Sequence, residues 1–119
     1  MATDGSGSVL IEILAREDCP HRGMALVVVE RVVDETGIPA EIEVVEVESD
    51  AEAETYRVLG SPTVLVDGRD VDPEPIPIDY SVDDRIYRTP RGPSGWPEPE
   101  WIRAALIRAV AQTTSNGAH

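Results

Sequence analysis

Short apolar runs alternate with helical patterns along the first part of the chain, and this alternation restricts the fold more than any other feature. The segment 9–14, VLIEIL, is almost continuously aliphatic, which is typical of an inner strand. In 20–36, polar residues recur at helical spacing, which predicts a mostly buried helix that ends at Gly37. The segment 41–48, EIEVVEVE, alternates and predicts a second strand.

Capping and turn signals place the next elements. Ser49 and Glu52 form an S-x-x-E capping box, which predicts a short helix that ends near Gly60. A four-residue apolar run follows Pro62, and the Asp-Gly pair at 67–68 is a strong hairpin signal. The predicted order is therefore strand, helix, strand, helix, strand, which indicates the α/β class.

The segment 70–99 is less regular. It contains seven of the ten prolines, which disfavour a helix there. Apolar residues alternate at Ile76, Ile78, Tyr80 and Val82, which favours a long ordered loop, and DRIYRT predicts the fourth strand near 85–88. A final helix is expected to begin near Pro99. Its apolar face consists of Ile102, Leu106, Ala109 and Val110.

Length and charge limit the classes of partner. We expect one domain over 9–112, with flexible ends at 1–8 and 113–119. The net charge of −13 leaves no basic surface for phosphates, so neither nucleic acid nor an anionic membrane is an expected partner. Neither a signal-peptide pattern nor a membrane-spanning run is present, and the single cysteine fits a reducing compartment, so a cytoplasmic protein is expected.

The only cysteine, Cys19, directly precedes Pro20 at the predicted start of the first helix. Unpaired backbone N–H groups and the positive end of the helix dipole favour a thiolate there. Arg22 and a protonated His21 add positive potential, whereas the acidic pair at 17–18 opposes it. These features support a reactive thiol and an inert, buried cysteine equally.

A cysteine at the exit of the first strand and a proline before the third together resemble the thioredoxin-like superfamily. The resemblance implies a central mixed four-stranded sheet flanked by helices, in the order β-α-β-α-β-β-α. It also implies that DCPHR at 18–22 is the active-site segment and that a cis-proline loop lies beside it. The implied substrate-binding residues are Pro20, His21, Ser61, Pro62 and Thr63.

Three stretches make the chain similar to a group of small bacterial thioredoxin-like proteins, some of which are labelled alkylmercury lyase. They are the Cys-Pro pair, LGSPTVLVDGRDVDP and RIYRTPRGPSGWP. Members of that group often carry a further cysteine just before R-x-Y-R-T, where this chain has Asp84. Cleaving a carbon–mercury bond and holding Hg(II) calls for two soft thiolates, so the single sulfur argues against that activity.

With one thiol, the redox routes are attack on a mixed disulfide or oxidation to a sulfenic acid, each reset by an outside thiol. We therefore predict monothiol exchange with a low-molecular-weight thiol or a protein disulfide. Cys19 would be the nucleophile, Arg22 would stabilise its thiolate, and Pro62 would shape the substrate groove. A non-catalytic binding module that uses the loop 70–99 is the alternative, and a mercury-handling protein is a third hypothesis.

Glu12 lies seven residues before Cys19, in the predicted first strand. If buried beneath the thiol, it would accept a proton; a solvent-facing or edge position is the simpler interpretation. His21 and Cys19 provide only two metal ligands, so neither a metal nor a cofactor is expected. The acidic run 41–54 alternates with valine in its first part, which favours a solvated strand edge and helix face over a cation site.

Overall fold

The computed structural model describes residues 8–75 and 79–117. The predicted flexible segment 1–8 lies outside this range except for Ser8, and so do Ile76, Ile78 and the last two residues. The elements, in chain order, are β1 (Val9–Ala15), α1 (Arg22–Thr36), β2 (Ala40–Glu46), α2 (Asp50–Tyr56), β3 (Leu59–Ser61), β4 (Thr63–Val66), β5 (Arg69–Asp70), β6 (Ser81–Asp84), β7 (Tyr87–Thr89), β8 (Gly92–Ser94) and α3 (Pro99–Gly117).

Four strands form a mixed central sheet in the order β2-β1-β4-β5. β1 runs parallel to β2 and antiparallel to β4, with Leu14 opposite Thr63. The hairpin predicted at 67–68 joins β4 to β5, and both of its residues have positive φ, 49° at Asp67 and 82° at Gly68. This backbone conformation matches the twist of the strands and favours an Asp-Gly sequence. The predicted α/β class and the mixed four-stranded sheet are thus confirmed.

The fourth strand of this sheet is not where the sequence placed it. It is β5, and the prediction for 85–88 is wrong. That segment only overlaps β7, which pairs with β8 in a separate hairpin, while β3 pairs with β6 in another two-stranded sheet. A two-residue turn brings β5 directly against β4, so β5 takes the fourth place in the sheet. The composition of DRIYRT indicates a strand but does not indicate which strand it pairs with.

The first helix begins later than the sequence indicated. Its N-cap is His21, so Cys19 and Pro20 precede the helix, and both the predicted start at residue 20 and the placement of Cys19 at that start are wrong. Turns before the helix explain the shift, since the Cys19 amide donates to the Arg16 carbonyl at 3.2 Å. The predicted end is confirmed, because Gly37 has a φ of 69° and its N–H donates to the Val33 carbonyl at 3.0 Å.

The capping box of α2 is present, but the Glu52 carboxylate accepts from the residue before the N-cap and not from the N-cap itself. The Ser49 hydroxyl accepts from the Glu52 amide at 3.1 Å, as predicted, and the Glu52 carboxylate accepts from the Glu48 amide at 2.9 Å. The helix ends at Tyr56, and its C-cap, Arg57, takes the left-handed conformation before Gly60 is reached.

Two hydrophobic clusters cover the two faces of the sheet. On one face, residues of β1 and β4 pack against α1 and α3, among them Ile11, Val29, Val64, Ile102 and Leu106. The predicted apolar face of α3 is confirmed, although the helix extends to Gly117, beyond the predicted limit of 112. A smaller cluster lies on the other face, near the end of β1, and consists of Leu14, Val47, Ala53, Val58 and Leu65.

Burial of each large aliphatic side chain contributes about 1.5–3 kcal/mol, so these clusters hold the sheet and helices together. In the described part of the chain, no helix is long and apolar enough to cross a membrane.

Candidate thiol site at the end of the central sheet

The segment that follows β1 is joined to the loop between β3 and β4. The Arg16 amide, directly after β1, donates to the Ser61 hydroxyl at 3.1 Å. Ser61 is fully buried, and the peptide bond between Ser61 and Pro62 is cis, which confirms the predicted cis-proline. Pairing of β1 with β4 brings both segments to the same end of the sheet, where Cys19 follows Arg16 by three residues.

Cys19 itself is a free, buried thiol with 8% of its surface exposed. Its amide and carbonyl both take part in turns, since the amide donates to Arg16 and the carbonyl accepts from the Arg22 amide at 3.4 Å. Because so little of the residue is exposed, reagents have limited access to Cys19 unless this segment moves.

Arg16, which no sequence signal identified, has more side-chain partners than any other residue of this segment. Its guanidinium donates to the Val82 carbonyl, to the Asp84 carboxylate at 2.7 Å and to the Asp18 carboxylate at 3.1 Å. The hydrogen bond to Asp84, followed by that to Asp18, raises the pKa of Arg16. Arg16 thereby ties the cysteine segment to β6, and its charge is balanced by two carboxylates.

The two basic residues after Cys19 have different surroundings. Arg22 is partly buried and forms no ion pair with any residue in 8–75 or 79–117. The ring of His21 packs on Trp96, with centroids 5.7 Å apart and planes tilted by 55°. A Cβ atom at Gly95 would lie 2.4 Å from the His21 ring, so only glycine permits this approach. His21 therefore links the cysteine segment to the loop before α3.

Glu12 lies on the inner strand β1, opposite Glu43 of β2 and Leu65 of β4, so of the predicted alternatives, a solvent-facing or an edge position, the edge position is excluded. Strand alternation directs it to the face opposite Ile11 and Ile13, which pack against α1 and α3. It is partly buried, and its carboxylate forms no hydrogen bond or ion pair with the described residues. This arrangement supports neither a carboxylate enclosed beneath the thiol nor a fully solvated one.

A buried network supports the cis-proline loop from the side of β7. The Tyr87 hydroxyl donates to the Pro62 carbonyl at 2.6 Å, and the Arg85 amide donates to the Ser61 carbonyl at 3.0 Å. The Arg85 guanidinium also donates to the Thr63 hydroxyl at 3.2 Å. All three residues that the sequence assigned to the cis-proline loop are therefore fixed by Arg85 or Tyr87.

Opposite charges and an aromatic ring surround the Arg85 side chain. Its guanidinium makes two hydrogen bonds to Asp70, at 2.7 and 3.2 Å, and lies 3.6 Å from Asp72. It also lies 4.2 Å from the centre of the Tyr87 ring, a cation–π arrangement. Burial raises the pKa of Tyr87 above its ordinary value of about 10, despite the opposing effect of Arg85. No sequence signal identified this network, because it joins three separate parts of the chain, at 61–63, 70–72 and 85–87.

A groove of about 880 Å³ has Arg85 in its lining. Its lining includes Leu59, Asp83, Asp84, Ile86 and Trp101. Since Asp84 also binds Arg16, this groove adjoins the cysteine segment through one ion pair. Within the described ranges, no group of three or more histidine, cysteine, aspartate or glutamate residues is arranged to hold a metal ion.

Comparisons with known proteins add no family assignment to this geometry. No protein-family model matches the sequence, and no curated protein matches it either.

Proposed function

We propose that the chain is a thioredoxin-like protein in which Cys19 carries out monothiol thiol–disulfide exchange. The observation that carries the proposal is the hydrogen bond between the Arg16 amide and the Ser61 hydroxyl, which joins the cysteine segment to the loop with the cis Ser61–Pro62 peptide. The helices and the four strands of the central sheet follow the order β1-α1-β2-α2-β4-β5-α3, which is the order that the sequence resemblance implies, whereas β3, β6, β7 and β8 form two further small sheets outside that order.

Asp84 provides a second argument. It occupies the position at which the similar bacterial proteins often carry a further cysteine, and it binds the side chain of Arg16 at 2.7 Å. A residue at this position therefore contacts the segment that contains Cys19. With aspartate there, an intramolecular disulfide is impossible, and the resolving thiol has to come from another molecule.

The reaction needs one outside thiol to complete a cycle. The Cys19 thiolate attacks one sulfur of a mixed disulfide, so a new disulfide joins Cys19 to that half of the substrate and the other half leaves as a thiolate. The leaving thiolate takes up the proton that Cys19 lost. A low-molecular-weight thiol then attacks the enzyme-bound disulfide, releases Cys19 and becomes oxidised in its place. A reducing compartment such as the cytoplasm supplies that thiol.

The alternative function is a binding module with an unreactive cysteine. Two observations favour it: Cys19 is only 8% exposed, and the charge of Arg16 is neutralised by Asp18 and Asp84. In this alternative, the groove beside Arg85 is the contact surface.

Reaction with a glutathione-type mixed disulfide, with Cys19→Ser as the blank, separates the two functions. For an exchange protein, we expect mass spectrometry to find one half of the substrate joined to Cys19 and the other half released as a thiol. Added low-molecular-weight thiol should then complete turnover, which Cys19→Ser must abolish and Ser61→Ala must slow. Failure of Cys19 to form the mixed disulfide, or turnover that persists in Cys19→Ser, would contradict the exchange function.

A further inference from the structure

β2 forms one edge of the central sheet. It pairs with β1 at seven consecutive positions, from Val9 opposite Ala40 to Ala15 opposite Glu46. In the sheet order β2-β1-β4-β5 it has no second neighbour, and no strand of residues 8–75 or 79–117 pairs with its outer edge. Alternate N–H and C=O groups along this edge therefore point outward and are available to another extended chain.

The edge carries only one of the features with which proteins usually prevent such pairing. Charged side chains, proline, bulges and very short strands are the common protections, and of these β2 has only its glutamates. β2 has seven residues, AEIEVVE, with neither proline nor lysine, and its pairing with β1 shows no register shift. Val44 is 47% exposed, so the strand also offers apolar surface.

Charge on β2 indicates what kind of chain would pair with it. Glu41, Glu43 and Glu46 are exposed and form no ion pair with any described residue. Strand alternation places Glu41 and Glu43 on one face and Ile42 and Val44 on the other. A complementary strand would therefore carry basic residues on the first face and apolar residues on the second.

We propose that the outer edge of β2 binds an extended, basic segment of a partner protein by strand addition. Main-chain hydrogen bonds along β2 provide the pairing, and the carboxylates of Glu41 and Glu43 select lysine or arginine side chains. A second copy of the chain does not suit this edge, because pairing two β2 strands would bring these carboxylates together. This surface is independent of the proposed thiol chemistry.

A synthetic peptide of about eight residues that alternates valine and lysine is the probe. We expect it to bind the full chain and to shift the amide NMR signals of 40–46, with affinity that falls as salt concentration rises. A peptide with glutamate in place of lysine should not bind. A valine–lysine peptide methylated at alternate backbone nitrogens should also fail, because it cannot donate the pairing hydrogen bonds.

Charge reversal on the protein provides the matched comparison. The double variant Glu41→Lys/Glu43→Lys should bind the probe about tenfold more weakly or worse, since two attractions become repulsions. Glu30→Lys/Glu54→Lys makes the same change of net charge on α1 and α2 and should bind like the unmodified chain. Circular dichroism establishes that both variants are folded.

Several results would overturn the proposal. One is that the valine–lysine peptide does not bind at all, and another is that the methylated peptide binds as tightly as the unmethylated one. A third is that both double variants weaken binding equally, and a fourth is that the NMR shifts fall at residues other than 40–46. Each of these four results contradicts pairing at β2. Self-association with shifts at 40–46 would identify a second copy as the occupant and would likewise refute a basic partner.

Discussion

The hydroxyl of Tyr87 donates a 2.6 Å hydrogen bond to the carbonyl of Pro62, 25 positions earlier in the chain. Tyr87 is fully buried, and its ring packs beneath the guanidinium of Arg85. The same Arg85 donates its amide proton to Ser61 and pairs with Asp70 of β5. The cis-proline loop is thus attached both to the central sheet and to the β7–β8 hairpin.

Replacement of Tyr87 by phenylalanine should destabilise the fold. The variant keeps the ring but leaves the Pro62 carbonyl without its hydrogen-bond donor, which costs about 1–3 kcal/mol in the free energy of unfolding. Urea unfolding followed by circular dichroism measures the change. Tyr56→Phe is the control, because Tyr56 is 45% exposed. Equal effects of the two substitutions would contradict a specific role for the buried bond.

Stability should fall in alkaline solution because of Tyr87. Burial raises the pKa of this phenol in the folded state, so above about pH 10 the unfolded chain loses the proton while the folded chain retains it. The contribution of Tyr87 to the free energy of unfolding is complete below its pKa in the unfolded chain. It is lost as the pH rises toward its pKa in the folded chain, at up to about 1.4 kcal/mol per pH unit.

Urea unfolding of the original chain and of Tyr87→Phe, at about pH 8 and about pH 11, tests this dependence. The stability advantage of the original chain should narrow at the higher pH, since the variant has no phenol at this position. A constant or widening difference would show that Tyr87 does not titrate differently in the folded and unfolded states.

Gly60 should not tolerate alanine. Its φ is 125°, and a Cβ atom there would lie 2.8 Å from the Cβ of Arg85. Both the backbone strain and the contact disfavour the variant, so we expect a loss of about 1–3 kcal/mol or more in the free energy of unfolding.

Gly23→Ala is the control, because its new methyl group has no described atom within 4 Å. That helical substitution should instead stabilise the chain by about 0.5–1 kcal/mol, and a similar loss in both variants would refute the argument.

Arg16→Met should make Cys19 more accessible. The substitution removes the hydrogen bonds to Val82 and Asp84 that hold the cysteine segment against β6. We expect several-fold faster alkylation of Cys19, with only about 1 kcal/mol of lost stability, because the ion pairs involve exposed carboxylates. The rate is measured by mass spectrometry with a thiol-alkylating reagent.

Arg103→Met is the matched control for this experiment. Arg103 also forms ion pairs, with Glu35 at 2.8 Å and with Glu100, but it lies on α3. Its loss should leave the alkylation rate unchanged. If both variants accelerate labelling equally, general loosening rather than the Arg16 contacts controls access to Cys19.

Local sequence signals located most of the regular elements. The apolar run of β1, the left-handed end of α1 at Gly37 and the Asp-Gly turn at 67–68 each depend on residues a few positions apart. The apolar stripe of α3 follows the helical period in the same way. These features are decided by backbone conformation and side-chain spacing, which the sequence displays directly.

Contacts between residues far apart in the chain decided the strand partners and the surroundings of Cys19. Arg16 meets Asp84 across 68 positions and Ser61 across 45, and only the folded chain shows that these pairs exist. Strand composition indicated that 85–88 was extended but not that β5 would complete the sheet. Burial of Cys19 and Arg85 likewise depends on which segments pack around them. The sequence determined the local conformations, whereas long-range packing determined which side chains meet at the thiol site, because pairing and desolvation are properties of the whole fold.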